Sequence, residues 1–257
     1  MIDWVFVSGW GMPKDVWKPL LAELPGSSVN QCFDLYGDEV ASDFSLADGS
    51  FGDVFDYVVS QLAARVFKGG ERQKVWVAWS LAGLVVMRLL QQFQRHKDPL
   101  VLLASTPYWQ RDDDWSLGLV SEQLERFRRQ YAQNSRRGFK RFCRAYVPEI
   151  ASEIDRSCLE SDLGVLLHQG AKAALSLRLL DFFLEVDLRG ELSQWSGRVL
   201  ALFGGHDPLL PMLGVEDFRQ QCPDVASEVI VDAGHAVFWS HPKSVAQALQ
   251  AFAARSM

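Results

Sequence analysis

The sequence predicts an α/β domain: a mostly parallel central sheet with helices on its faces and a helical segment inserted into it. Three observations carry that reading. Short β-rich runs alternate with helix-length stretches, the middle of the chain switches to helical patterns alone, and 257 residues with 48% hydrophobic content suffice for one large core. The β-rich runs are residues 4–7, 75–79, 100–103, 199–203 and 228–231. Residues 81–95, LAGLVVMRLLQQFQR, follow the second run directly and read as a helix whose apolar first half is buried. Val245, Ala246, Leu249 and Phe252 fall at helical spacing, so residues 244–255 can close the domain as a surface helix. The division that results is a core of residues 1–107 and 188–257 and a helical lid subdomain at 108–187.

Bulk composition narrows the function. A net charge of −6 gives no global attraction to nucleic acid or to an anionic membrane, so a charge-based partner must be recognised locally. No run of about 18 apolar residues exists, so no membrane span is expected. The start, MIDWVFV, lacks the basic residues of an export signal, and Cys32, Cys143, Cys158 and Cys222 form no C-x-x-C pair. A cytoplasmic location with free thiols is the simplest expectation. The window 121–145 reverses the chain's sign, with eight Lys and Arg against Glu122 and Glu125. A solvated helix face and a binding surface both explain such a window.

The stretch 77–83, VAWSLAG, resembles a G-x-S-x-G nucleophile turn with both glycines replaced, by Ala78 and Ala82. Ser80 lies between a strand and a helix, a place that suits a nucleophile and equally a helix N-cap. A serine hydroxyl is a weak nucleophile. Ester hydrolysis needs a histidine to take its proton, a carboxylate to orient the histidine, and N–H donors for the oxyanion. Leu81 follows Ser80 and offers one backbone N–H. The loop S-G-W-G after the first strand offers another from Trp10, whose indole can wall an acyl pocket, while Gly9 and Gly11 let the backbone turn inward. Asp207 in GGHDP and His235 in DAGHA each sit just past a strand, with His206 and His241 as weaker rivals. Each residue alone reads as a cap or turn, but the order serine, acid, histidine beyond three strands is not what caps and turns produce. Alanine at 78 and 82 stays small where backbones pass closely, and Gly83 is expected to add slack.

The combination of S-G-W-G, W-S-L-A-G, S-T-P at 105–107, R-F-C-R-A-Y at 141–146, V-D-L-R at 186–189, G-H-D-P-L-L-P and G-H-A-V-F-W-S-H-P resembles the BioH-type pimeloyl-[acyl-carrier protein] methyl ester esterases of biotin synthesis, within the α/β-hydrolase superfamily. The resemblance spans essentially the whole chain. It implies an α/β-hydrolase fold, a Ser80, Asp207 and His235 triad, and oxyanion N–H groups from Trp10 and Leu81. It implies that Phe142, Cys143, Arg144, Ala145 and Tyr146 line the substrate channel. It also implies that Arg137 and Arg141, with Arg144 and Arg156, grip an acyl-carrier protein whose phosphopantetheine arm bears the pimeloyl methyl ester. No cofactor or metal is required, no nucleic acid or membrane partner is implied, and a monomer is expected. The family's usual H-G-W-G begins here with Ser8. Because the serine motif fixes acyl transfer and not the leaving group, a general short-chain carboxylesterase or a thioesterase stays open. So does a catalytically degenerate binding protein, given Ala78 and Ala82.

Overall fold

Six stretches form strands: β1 (Asp3–Val7), β2 (Val29–Phe33), β3 (Val75–Trp79), β4 (Leu100–Leu103), β5 (Val199–Gly204) and β6 (Ala226–Ile230). In the computed structural model, which describes residues 2–26, 28–37, 51–69, 73–148, 150 and 170–254, they make one sheet in the order β2-β1-β3-β4-β5-β6, every pair parallel. Strands β3, β4 and β5 are buried at every position, so sequences such as VWVAW and LVLL are continuously apolar instead of alternating. The edge strand β2 is the one the sequence reading omits. Its residues, VNQCF, are exposed or half-buried, so it carries no apolar run, and it is defined by pairing with β1. The other edge, β6, begins and ends slightly earlier than its hydrophobic pattern suggests, at Ala226–Ile230.

The helices are α1 (Lys18–Leu21), α2 (Phe51–Val66), α3 (Ala82–Gln92), α4 (Ser121–Gln133), α5 (Ser135–Tyr146), α6 (Gly170–Glu185), α7 (Arg189–Ser193), α8 (Met212–Gln221), α9 (Val237–Ser240) and α10 (Pro242–Ala254). Helix α3 buries Leu84, Val85, Val86 and Met87 in its first half and exposes its glutamines, as its sequence order requires. Helix α10 buries Val245, Ala246, Leu249 and Phe252 and packs against α1 and α9. Among the described residues no helix is long and apolar enough to cross a membrane.

The sheet order has one consequence for function. After β1 the chain steps outward to β2, and it then returns to place β3 on the other side of β1, so the winding reverses between β1 and β3. Ligand sites of parallel sheets form at that reversal, beyond the carboxyl ends of the strands. The loop after β1 and the turn after β3 both open there.

Between β4 and β5 the described segment is mainly helical. Helices α4 and α5 form a hairpin in which the Asn134 side chain accepts the Arg137 N–H at 2.9 Å, capping α5. Gly138 lets the two backbones meet, since a β-carbon there would lie 2.8 Å from Tyr131 Cα. The ends of the segment also meet: Tyr108 and Asp187 form an antiparallel bridge, and the Leu188 N–H donates to Pro107 O at 2.9 Å. Arg189 fastens this junction. Its guanidinium binds the Asp187 carboxylate at 2.7 Å and lies over the Tyr108 ring at 4.3 Å.

The core strands tolerate loss of volume poorly. Leu102 is fully buried at the middle of β4, so Leu102→Ala is expected to lower unfolding free energy by about 2–5 kcal/mol, read from urea denaturation with the m-value unchanged.

Candidate active site

The turn after β3 places Ser80 at φ 57°, in the left-handed region, whereas Ala78 and Ala82 lie outside it. A non-glycine residue there costs on the order of 1–3 kcal/mol, so the surroundings must hold it. They do so through three hydrogen bonds. The Ser80 N–H donates to Leu103 O at 3.0 Å, Ser80 O accepts the Gly83 N–H at 3.0 Å, and Ser105 Oγ donates to the same carbonyl at 2.6 Å. Because the strain falls on the serine, the two alanines need only fit by size, and both are fully buried.

The register between β1 and β3 sets Val7 beside Ala78, which carries Gly9 to the side of Ser80. A β-carbon on Gly9 would lie 2.9 Å from Ser80 Cβ, so glycine is the residue that fits. Gly83 is not slack, contrary to the sequence reading. A β-carbon there would sit 2.0 Å from Ser105 Oγ, so the missing side chain is what lets Ser105 reach the Ser80 carbonyl.

Asp207 follows β5 and His235 follows β6. His235 Nε2 lies 2.9 Å from Ser80 Oγ, and His235 Nδ1 lies 2.8 Å from Asp207 Oδ2. The other Asp207 oxygen accepts the Leu209 and Leu210 N–H groups at 2.8 and 3.2 Å, which fixes the carboxylate's orientation. Around the imidazole, Trp79 Nε1 donates to His235 O at 3.1 Å, and the Trp109 ring stands edge-on at 6.3 Å. All three side chains of this line are at most 5% exposed. Such an arrangement can take a proton from a hydroxyl, store it on imidazole, and stabilise the resulting charge. His206 and His241 stand outside this line.

Trp10 is buried at the loop after β1, and its Nε1 donates to Ser176 O at 2.7 Å. The rings of Phe127, Tyr131, Phe139 and Phe142 from α4 and α5 surround it at centroid distances of 5.1 to 5.9 Å. Leu81 is buried, and its N–H has no acceptor among the described residues. Ser8 is fully buried, and its hydroxyl donates to Met12 O at 2.9 Å, so it serves the loop's own backbone.

The remaining predicted residues divide by exposure. Arg141, Phe142, Ala145 and Tyr146 line one groove of about 210 Å³ between α4 and α5, together with Arg126 and Phe127. Phe142 and Phe127 thus have the groove on one side and Trp10 on the other. Cys143 is buried behind them, and Arg137 and Arg144 are exposed. Arg156 and Cys158 lie outside the described residues, and Cys32, Cys143 and Cys222 are free thiols. Of the eight cations in 121–145, Arg128 pairs with Asp181 and Arg129 with Glu125. Among the described residues, Arg126, Arg136, Arg137, Lys140 and Arg141 have no carboxylate partner, so the positive face persists in the fold.

Sequence reasoning passed over Ser105 as a support of the Ser80 turn, as well as Tyr36, Ser176 and Arg126. The S-T-P motif was the one signal for Ser105. Arg126 belonged to the basic window without being singled out.

The alpha/beta hydrolase family model matches residues 4–248. The pimeloyl-[acyl-carrier protein] methyl ester esterase of Cronobacter sakazakii is 29% identical over 252 residues, covering 98% of this chain and 92% of that protein. The protein of the same name from Pectobacterium carotovorum is also 29% identical, covering 98% and 94%. Among solved structures, a bromoperoxidase from Bacillus anthracis superposes with a TM-score of 0.78 at 17% identity, covering 98% of this chain and 91% of that one. An esterase from Exiguobacterium antarcticum superposes with a TM-score of 0.74 at 15% identity, covering 98% and 91%. At these identities the two structures establish a shared fold.

Gly83→Ala tests the turn. The added methyl must displace Ser105, so the substitution is expected to cost about 1–3 kcal/mol of stability and to slow Ser80 chemistry, measured by thermal unfolding and by the rate of labelling with a fluorophosphonate.

Proposed function

Because the chain belongs to the alpha/beta hydrolase family, we propose that it is a serine carboxylesterase that removes the methyl ester from a pimeloyl group carried on acyl-carrier protein. The observation that carries the chemistry is the unbroken hydrogen-bonded line Ser80, His235, Asp207 at the reversal of the sheet. The observation that favours a carrier-linked substrate is the positive face of Arg126, Arg136, Arg137, Lys140 and Arg141 on α4 and α5, which have no carboxylate partner among the described residues, in a chain whose net charge is −6. The named relatives support the same substrate.

In this mechanism Ser80 Oγ attacks the ester carbonyl while its proton passes to His235 Nε2. The Asp207 carboxylate, bonded to Nδ1–H, stabilises the imidazolium and holds its tautomer. The N–H groups of Trp10 and Leu81 receive the oxyanion, where each donor supplies on the order of 3 kcal/mol of transition-state stabilisation. Collapse of the adduct breaks the bond to the methoxy oxygen, which leaves as methanol with the proton from His235. Water then enters, gives its proton to the same nitrogen, and releases a free carboxylate with Ser80 restored. The product's charged end distinguishes it from a neutral fatty acyl chain.

Residues 108–187 act as the lid in this reading. The groove bordered by Arg126 and Arg141 receives the anionic carrier and its arm, and displacement of the Phe127 and Phe142 rings opens the way to Trp10 and Ser80. Ala78 and Ala82 motivate an inert binding protein only if the turn requires glycine there, and the strain falls on Ser80 instead.

Charge reversal tests the docking face. Arg137→Glu with Arg141→Glu is expected to lower kcat/KM on carrier-linked methyl ester by about tenfold or more, with a free short-chain ester changed less than about twofold. Added salt is expected to slow the first reaction selectively. Equal losses on both substrates contradict carrier docking and point to a general esterase.

A further inference from the structure

The loop that offers the Trp10 N–H is clamped by residues that no motif marks. The Gly11 N–H donates to Tyr36 Oη at 2.8 Å, Ser176 Oγ donates to the same oxygen at 3.0 Å, and the Trp10 indole donates to Ser176 O at 2.7 Å. Trp10, Tyr36 and Ser176 are each at most 3% exposed, so water does not compete for these bonds. Trp10 is therefore held at two points, through its side chain and through the amide that follows it. The two anchors are bonded to each other. Gly11 is at φ 71°, a conformation that glycine adopts readily and that turns its N–H toward Tyr36. Burial raises the Tyr36 hydroxyl far above its ordinary ionisation range, so it stays neutral and accepts the amide at any working pH.

Resting on the esterase reading above, we propose that Tyr36 and Ser176 are positioning residues that fix the orientation of the Trp10 N–H toward the oxyanion. Tyr36 belongs to the loop after β2 and Ser176 to α6, 140 residues away, so the closed ring ties the seating of the inserted segment to the oxyanion donor. An amide turned away from a developing oxyanion forfeits transition-state stabilisation while ground-state binding is untouched.

The test uses Tyr36→Phe and Ser176→Ala in the full chain, with a free short-chain ester and an alkyl boronic acid that forms a tetrahedral adduct on Ser80. Both variants are expected to keep KM within about twofold, to lose about 10- to 100-fold in kcat, and to lose boronate affinity by a matching factor. A folded variant whose kcat and boronate affinity stay within about twofold of wild type overturns the proposal, even if its Tm falls. Ser176→Ala keeps the carbonyl that binds Trp10 and removes one hydroxyl, so it carries the test if Tyr36→Phe does not fold. Wild-type protein that neither hydrolyses ester nor binds boronate contradicts the esterase reading itself. Active wild type with unaffected variants contradicts the clamp alone.

Discussion

The left-handed backbone at Ser80 is the constraint on which the site depends. A strained serine between a buried strand and a buried helix persists only if its neighbours leave it no alternative. Each neighbour does one part of this. β4 supplies the carbonyl that takes the Ser80 N–H, Ser105 holds the Ser80 carbonyl, Gly83 makes room for Ser105, and Gly9 makes room for Ser80 itself. With the turn held, the hydroxyl faces the one imidazole that the loops after β5 and β6 bring to it. The strain, on the order of 1–3 kcal/mol, is small beside the buried apolar core, so its cost is spread over the domain.

Core and inserted helices divide the work by chemistry. The core presents apolar strands and the hydrogen-bonded line of Ser80, His235 and Asp207. Helices α4 and α5 present cations on their outer side and aromatic rings on their inner side, and the rings close over Trp10. Among the described residues of the segment between β4 and β5, Asp181 on α6 receives both Arg128 from α4 and Arg178. Arg126, Arg136, Arg137 and Arg141 thus have no carboxylate partner among the described residues, while the Arg128 pair with Asp181 ties α4 to α6.

Much of this was legible in the sequence, for identifiable reasons. Strands buried on both faces announce themselves as apolar runs, so Ser80 directly after β3 and Asp207 three residues after β5 could be found, while His235 lies in the loop that follows the half-buried edge strand β6. The edge strand β2 could not, because VNQCF has no hydrophobic pattern and exists as a strand only through β1. The role of Gly83 was misread for a related reason: its constraint is a close approach to Ser105, which spacing along the chain does not reveal. Tyr36 and Ser176 were silent, since two hydroxyls 140 residues apart form a contact that only tertiary packing creates.

The most direct measurement is the intact mass of acyl-carrier protein bearing the pimeloyl methyl ester, before and after exposure to the enzyme. The account predicts that the carrier loses the mass of one methylene as methyl ester becomes acid, with the acyl group still attached, and that Ser80→Ala leaves the mass unchanged. Release of the whole acyl group, which is the outcome of thioester cleavage, or the same mass loss with Ser80→Ala, would contradict it.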